Sequence, residues 1–287
     1  MRAGIVLFTS DRGITPAEAA QAAEERGFHS FYVPEHTHIP VRRDAAHPRT
    51  GDASLPDDRY LRTLDPWVSL GTAASLTSRI ELATAVALPV EHDPITLAKS
   101  LATLDHLSGG RVVLGVGFGW NTDELADHGV PAGKRRTVLR EYLESMRALW
   151  TYEEAGYDGE FVKFGPSWAY PKPARRIPVL VGAAGTEKNF RWIARSADGW
   201  ISTPGEDGIE DRVRLLRKLW QEADRDGQPQ IVVLDGKPDP DKLARWAELG
   251  VTETVYGLPD KDNASILGYL DRLAAKLRAA GLSLPPD

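Results

Sequence analysis

The residues best suited to chemistry in this chain fall in three short clusters. Glu35-His36-Thr37-His38 sets a carboxylate and two imidazoles side by side, the residue types that donate and accept protons near neutral pH. His36 and His38 also have the spacing of a two-histidine metal pair, although His92 and His106 lack the context of further ligands. Gly115-Val116-Gly117-Phe118-Gly119 places glycine at alternate positions, so backbone there must closely approach either a flat ligand or a packed neighbour. The spacing is not that of a dinucleotide fingerprint, and that reading is rejected. Gly182-Ala183-Ala184-Gly185-Thr186 runs directly into a helical stretch carrying Lys188, Arg191 and Arg195. Bare N–H groups at a helix start make a seat for a phosphate, the alternative being small residues that ease a tight turn.

These clusters need a scaffold, and composition limits which one. The chain has 287 residues, 42% hydrophobic and 26% charged, enough for a sizeable core and a wet surface. Its 35 Lys and Arg against 41 Asp and Glu give a net charge of -6 with no basic block, which argues against nucleic acid as a partner. The absence of cysteine removes disulfides, thiolate metal sites and cysteine nucleophiles together. The first apolar run is too short for a signal peptide or a membrane span, so a cytoplasmic protein with no membrane partner is expected.

The elements that would position the clusters alternate along the chain. A short apolar run at 3–8 is followed by Thr15-Pro16-Ala17-Glu18, a helix start with a capping residue, a proline at the first turn and a glutamate that reaches back. Gly27 closes that helix, and a second strand is expected over 28–34. Asp65-Pro66 and Asp93-Pro94 open further helices around strands at 80–88 and 111–116. The stretch 135–150 carries a single apolar stripe at helical spacing. Strands at 177–181, 199–202, 230–234 and 251–256 then alternate with helices at 186–196, 209–223, 239–249 and 263–280. Eight such units predict one α/β domain over 1–287, a closed (β/α)8 TIM barrel, whose reactive groups sit at the C-terminal ends of the strands. Two insertions interrupt the repeat. One, after strand 2, is a long polar connection over 36–64, whose arginines include Arg42, Arg43, Arg49, Arg59 and Arg62; its length suggests a cover for the barrel mouth. The other, before strand 5, spans 153–173 and includes a hairpin around Phe161-Val162-Lys163-Phe164. Trp120 in the glycine loop, with Trp168 and Tyr170 in this second insertion, is expected to line an aromatic pocket.

Several of these stretches together resemble the bacterial luciferase-like oxidoreductases, in particular their mycobacterial-type F420-dependent branch. The resemblance rests on Phe31-Tyr32-Val33-Pro34-Glu35-His36, Ala83-Thr84-Ala85-Val86-Ala87-Leu88-Pro89, the run from Ser108-Gly109-Gly110-Arg111 to Gly119-Trp120-Asn121, and Ala197-Asp198-Gly199-Trp200. It implies a (β/α)8 barrel holding coenzyme F420, or alternatively FMN, at its C-terminal face, with a small organic molecule as substrate and a homodimer as the assembly. Glu35 and His36 would then lie by the reactive ring, with His36 handling the proton. Thr84, Ala85 and Val86 would back the ring through a cis bond between Ala85 and Val86. Gly117, Phe118 and Gly119 would flank it, and Ala183, Ala184, Gly185 and Thr186 would hold the cofactor phosphate. Trp120 replaces a polar residue of the family, and no basic residues for a sugar phosphate can be named, so glucose 6-phosphate is not the expected substrate. Three readings compete with F420-dependent hydride transfer: an FMN-dependent monooxygenase, a metal-dependent barrel hydrolase using His36 and His38, and a cofactor-binding protein without catalysis.

Overall fold

The computed structural model describes residues 1–259 and 261–285. Apolar runs that become buried on both faces form parallel strands, namely β1 (Arg2–Val6), β2 (Ser30–Val33), β3 (Glu81–Thr84) and β4 (Val112–Gly117). After an antiparallel hairpin of β5 (Glu154–Asp158) and β6 (Lys163–Trp168) come β7 (Val179–Gly182), β8 (Gly199–Ile201), β9 (Gln230–Asp235) and β10 (Glu253–Gly257). The eight parallel strands close in the order β1-β2-β3-β4-β7-β8-β9-β10, with Gly4 opposite Val255 at closure and Leu114 opposite Val179 across the insertion. The fold is the expected (β/α)8 barrel.

The helices around it are α1 (Pro16–Glu25), α2 (Pro66–Leu76), α3 (Pro94–Ser108), α4 (Thr122–Asp127), α5 (Arg135–Thr151), α6 (Glu187–Ser196), α7 (Ile209–Glu222), α8 (Pro240–Leu249) and α9 (Asn263–Ala279). Most of their starts are set by side-chain caps, of which Thr15, Asp65 and Asp93 are marked in the sequence. Thr15 and Glu18 form a reciprocal capping box, and Asp65, Asp93, Asp239 and Asp262 each accept from the N–H three residues on. Only α4 was not expected, because six residues are too few to display a helical apolar period. None of the helices among the described residues is long and apolar enough to cross a membrane.

Two departures from regularity matter for the site. The third strand stops at Thr84 rather than running to 88, since the Ala85–Val86 peptide is cis and bulges the chain. Pairing then resumes: Ala85 N donates to Val33 O, Ala87 N to Gly115 O, and Gly117 N to Ala87 O. At the opposite end the barrel is closed by polar groups. Glu253 accepts from the Ser30 hydroxyl and from Tyr32 OH at 3.1 Å, with Arg2 at 3.8 Å. Burial pushes the pKa of Glu253 upward.

Glu24 ties α1 to the start of β3. Its carboxylate accepts from the backbone N–H groups of Ser78, Arg79 and Ile80, the last two at 2.7 Å. Although burial works the other way, these three donors hold its pKa below the usual carboxylate range. A depressed folded-state pKa contributes stability above the ordinary value, and that stability is lost as pH falls through the depressed one. Glu24→Ala should therefore cost about 1–3 kcal/mol at neutral pH by leaving three donors unpaired. In thermal melts the gap to wild type should narrow on acidification; a gap independent of pH would contradict this account.

Candidate active site

The C-terminal ends of β2, β3, β4 and β7 bring the sequence clusters to one mouth of the barrel. His36 follows β2, and its side chain is only 7% exposed. Its Nδ1 lies 2.8 Å from Glu124 Oε2, on the fully buried side chain of a residue in α4. Glu124 is held in turn by the Thr37 N–H at 3.0 Å and Asn121 Nδ2 at 3.2 Å. With the Nδ1 proton assigned toward this carboxylate, His36 presents Nε2, which makes no hydrogen bond among the described residues.

Aromatic groups surround that imidazole. Trp120 stands edge-on with ring centroids 5.7 Å apart, and Tyr60 lies at 5.5 Å. His47 packs against Trp120 at 4.7 Å and meets Tyr60 OH through Nε2 at 3.0 Å. Tyr60 and His47 both come from the long connection after β2, so this segment folds onto the site. Three of its arginines are engaged: Arg59 clamps Asp57, Arg62 pairs with Asp11 and Asp58, and Arg43 binds the carbonyls of Pro40 and Ala53. The expected roles of Trp168 and Tyr170 are corrected. Their side chains are 75% and 55% exposed on and after β6, which has no layer packed over it there.

Glu35 is buried, and both its oxygens are committed to the segment after the bulge. Oε2 accepts from Leu88 N at 2.6 Å and Oε1 meets His92 Nε2 at 2.7 Å. Burial disfavours the imidazolium of His92, but the Glu35 carboxylate outweighs it and raises its pKa. Glu35 therefore positions the bulge. The two histidines of the suspected metal pair diverge, since His38 Nε2 turns to Asp127 at 3.0 Å. Among the described residues no three or more His, Asp or Glu side chains converge as metal ligands.

Packing accounts for the alternate glycines. A Cβ on Gly117 or Gly182 would lie 2.6 or 2.3 Å from a methyl of Val86, so the Val86 side chain fits between β4 and β7 only because both residues lack one. Gly119 has φ +74° and faces Leu125. Phe118 lies under the Arg136 guanidinium at 4.0 Å and edge-on to Trp192 at 5.1 Å. Ala85 and Val86 are both half-buried at the mouth.

The small-residue turn after β7 has the chemistry of an anion seat. The Gly185 N–H donates to Glu206 Oε1 at 2.8 Å, and Arg212 Nε lies 3.8 Å from the same oxygen. That Nε is buried without a hydrogen bond. A carboxylate oxygen thus stands between a bare amide and a guanidinium, the donor set that suits an anionic oxygen. Thr186 caps α6 by accepting from Asn189 N, while Ala183 O and Ala184 O accept from Trp200 Nε1 and Asn189 Nδ2.

Sequence reasoning missed Glu124, Tyr60, His47, Glu206 and Arg212. One signal existed for Glu124: Asn121-Thr122-Asp123-Glu124 has the spacing of a capping box after a strand-end loop. In the structure the glutamate turns to His36 and the Asn121 side chain rather than to the cap's backbone N–H.

The chain belongs to the luciferase-like monooxygenase family, matched over residues 14–238. It is 75% identical over 278 residues to an uncharacterised protein of Mycobacterium tuberculosis, covering 96% of this chain and 99% of that one. It is 34% identical over 225 residues to the F420-dependent glucose-6-phosphate dehydrogenase of Nakamurella multipartita, covering 71% of this chain and 60% of the relative. Its fold is shared with an F420-dependent secondary alcohol dehydrogenase solved with an F420-acetone adduct, with a TM-score of 0.75 at 18% identity over 98% of this chain and 99% of that one.

Proposed function

We propose that the protein is an oxidoreductase that passes a hydride between coenzyme F420 and a small organic substrate, with His36 moving the accompanying proton. The observation that carries this reading is the His36–Glu124 pair: an imidazole anchored through Nδ1 by a buried carboxylate, its Nε2 left free at the barrel mouth. The choice of F420 is supported by the F420-dependent relative at 34% identity. When bound, the cofactor supplies or accepts the hydride. The chain's own residues bind and orient it. Thr84, Ala85 and Val86 back the ring, Gly117, Phe118 and Gly119 border it, and Ala183, Ala184, Gly185 and Thr186 receive the phosphate, with Arg212 as its counter-charge. Glu35 holds the bulge in register through Leu88 and His92. Trp120, Tyr60 and His47 give the substrate side an aromatic wall.

The test is a fluorescence titration of the purified chain with F420 and with FMN. F420 should bind, and Glu206→Gln should tighten it about tenfold, near 1.4 kcal/mol, by removing a competing negative charge from the phosphate seat. Unchanged affinity would remove Glu206 and Gly185 from the cofactor site. Binding of FMN but not F420 would make the protein a flavin monooxygenase, the second reading, which the matched family's description favours.

A further inference from the structure

The pocket behind His36 buries more acid than one anchored imidazole requires. Glu35, Glu91 and Glu124 are 4%, 6% and 0% exposed, so three carboxyl groups share one interior. Glu124 anchors His36 and Glu35 anchors the bulge, but Glu91, in the short 3-10 turn Pro89–Glu91, does neither. Its Oε2 accepts from Thr37 Oγ1 at 3.1 Å, while its Oε1 is buried without a partner. A carboxylate there would leave that oxygen unsatisfied and add a third negative charge to an interior that already holds Glu35 and Glu124, so the neutral acid is the form this corner favours. Burial, then the charges of Glu124 and Glu35, push its pKa up to about 9. The other groups facing this corner are His128, 3.9 Å from Glu91 Oε2, and the chain neighbours His92 and Asp93, the latter acting on Tyr142 of α5.

A hydrogen-bonded route leads from Glu91 to the surface without crossing the mouth. Thr37 Oγ1 lies 2.8 Å from His128 Nε2 and 3.0 Å from His38 Nδ1, and His38 Nε2 meets Asp127 at 3.0 Å. The side chains of His38 and Asp127 are 42% and 60% exposed. Burial and the neighbouring His38 lower the pKa of His128, which favours a neutral ring able to accept a proton.

We propose that Glu91 is the charge-compensating acid of the site: as His36 takes a proton from the substrate, Glu91 releases its own from Oε2 to the Thr37 hydroxyl, which turns to accept it and gives its own proton to His128 Nε2 on the way to the surface. One proton enters the cluster at His36 Nε2 and one leaves from Glu91, so the charge of the buried cluster is unchanged; in the opposite direction both moves reverse. This inference rests on the proton role given to His36 above, but its test needs neither cofactor nor turnover. In the ligand-free protein at neutral pH, infrared spectra should show a protonated carboxyl band that Glu91→Gln removes. In NMR titrations the midpoint of His36 should fall by about one pH unit in Glu91→Gln, a tenfold loss of proton affinity, since glutamine has no proton to release. Thr37→Val, at an exposed position, should leave the band in place and slow its exchange in D2O about tenfold. A band insensitive to Glu91→Gln, or an unmoved His36 midpoint, would overturn the proposal; unchanged exchange in Thr37→Val would overturn the route. A protein that transfers no hydride with F420 or FMN would overturn the proposed function, while these spectra would still decide the fate of Glu91.

Discussion

His36→Ala should lower turnover by about 10²- to 10⁴-fold, the span that a positioned acid or base contributes, while F420 affinity stays close to wild type. The imidazole is the group whose Nε2 is free at the mouth, and the residues proposed above to back the ring and receive the phosphate lie on other strand ends. Alanine removes the proton carrier but leaves Glu124 bonded to the Thr37 N–H and Asn121. The buried carboxylate is then short of one partner rather than isolated, so the fold should survive. Single-turnover kinetics and cofactor titration on the same preparation separate the two effects. Turnover near wild type would sink the assignment of His36. A parallel loss of affinity would instead place the residue in cofactor binding.

Gly115→Ala should destabilise the barrel by about 3 kcal/mol or more, at or beyond the upper end of ordinary overpacking. A Cβ at this position would lie 1.9 Å from the carbonyl oxygen of Thr84 and 2.8 Å from a methyl of Ile201. Ile201 could turn its methyl away, but Thr84 O is backbone on the neighbouring strand and can yield only if β3 and β4 separate. Those strands are also joined here by Thr84 Oγ1 donating to Gly115 O at 2.7 Å. Any separation moves Ala85 and Val86 directly, so F420 binding should weaken together with the urea midpoint. Gly165→Ala is the control, because a methyl there meets nothing within 4 Å. Equal stability of the two variants would show that the close approach of β3 to β4 is not needed.

The barrel was legible because its signals are local. Thr15 and Glu18, the Asp-Pro starts at 65 and 93, and apolar runs such as that expected at 111–116 each carry their own instruction, and the elements form there, the last as β4 shifted by one residue. The break in the third strand was not legible in the same way. Residues 80–88 read as one continuous strand by apolar pattern, and only the family resemblance implied a cis bond at Ala85–Val86. The site was half legible for a similar reason. His36, Trp120 and the turn at 183–186 sit at strand ends, which the repeat located. Their partners come from elsewhere: Glu124 from a helix too short to show a period, Tyr60 and His47 from a segment whose length suggested a cover for the mouth without singling out these two side chains, and Glu206 from the loop after the next strand. Trp168 was selected by residue type alone, and a hairpin strand with nothing packed over that side chain leaves it exposed.

Above the polar floor of Glu253, Ser30, Tyr32 and Arg2, the interior of the barrel is packed with Val113, Leu180, Ile201, Val232 and Val255. The cylinder is therefore plugged along its length and is not a tunnel, so anything seated at the C-terminal mouth has to come and go over that one rim.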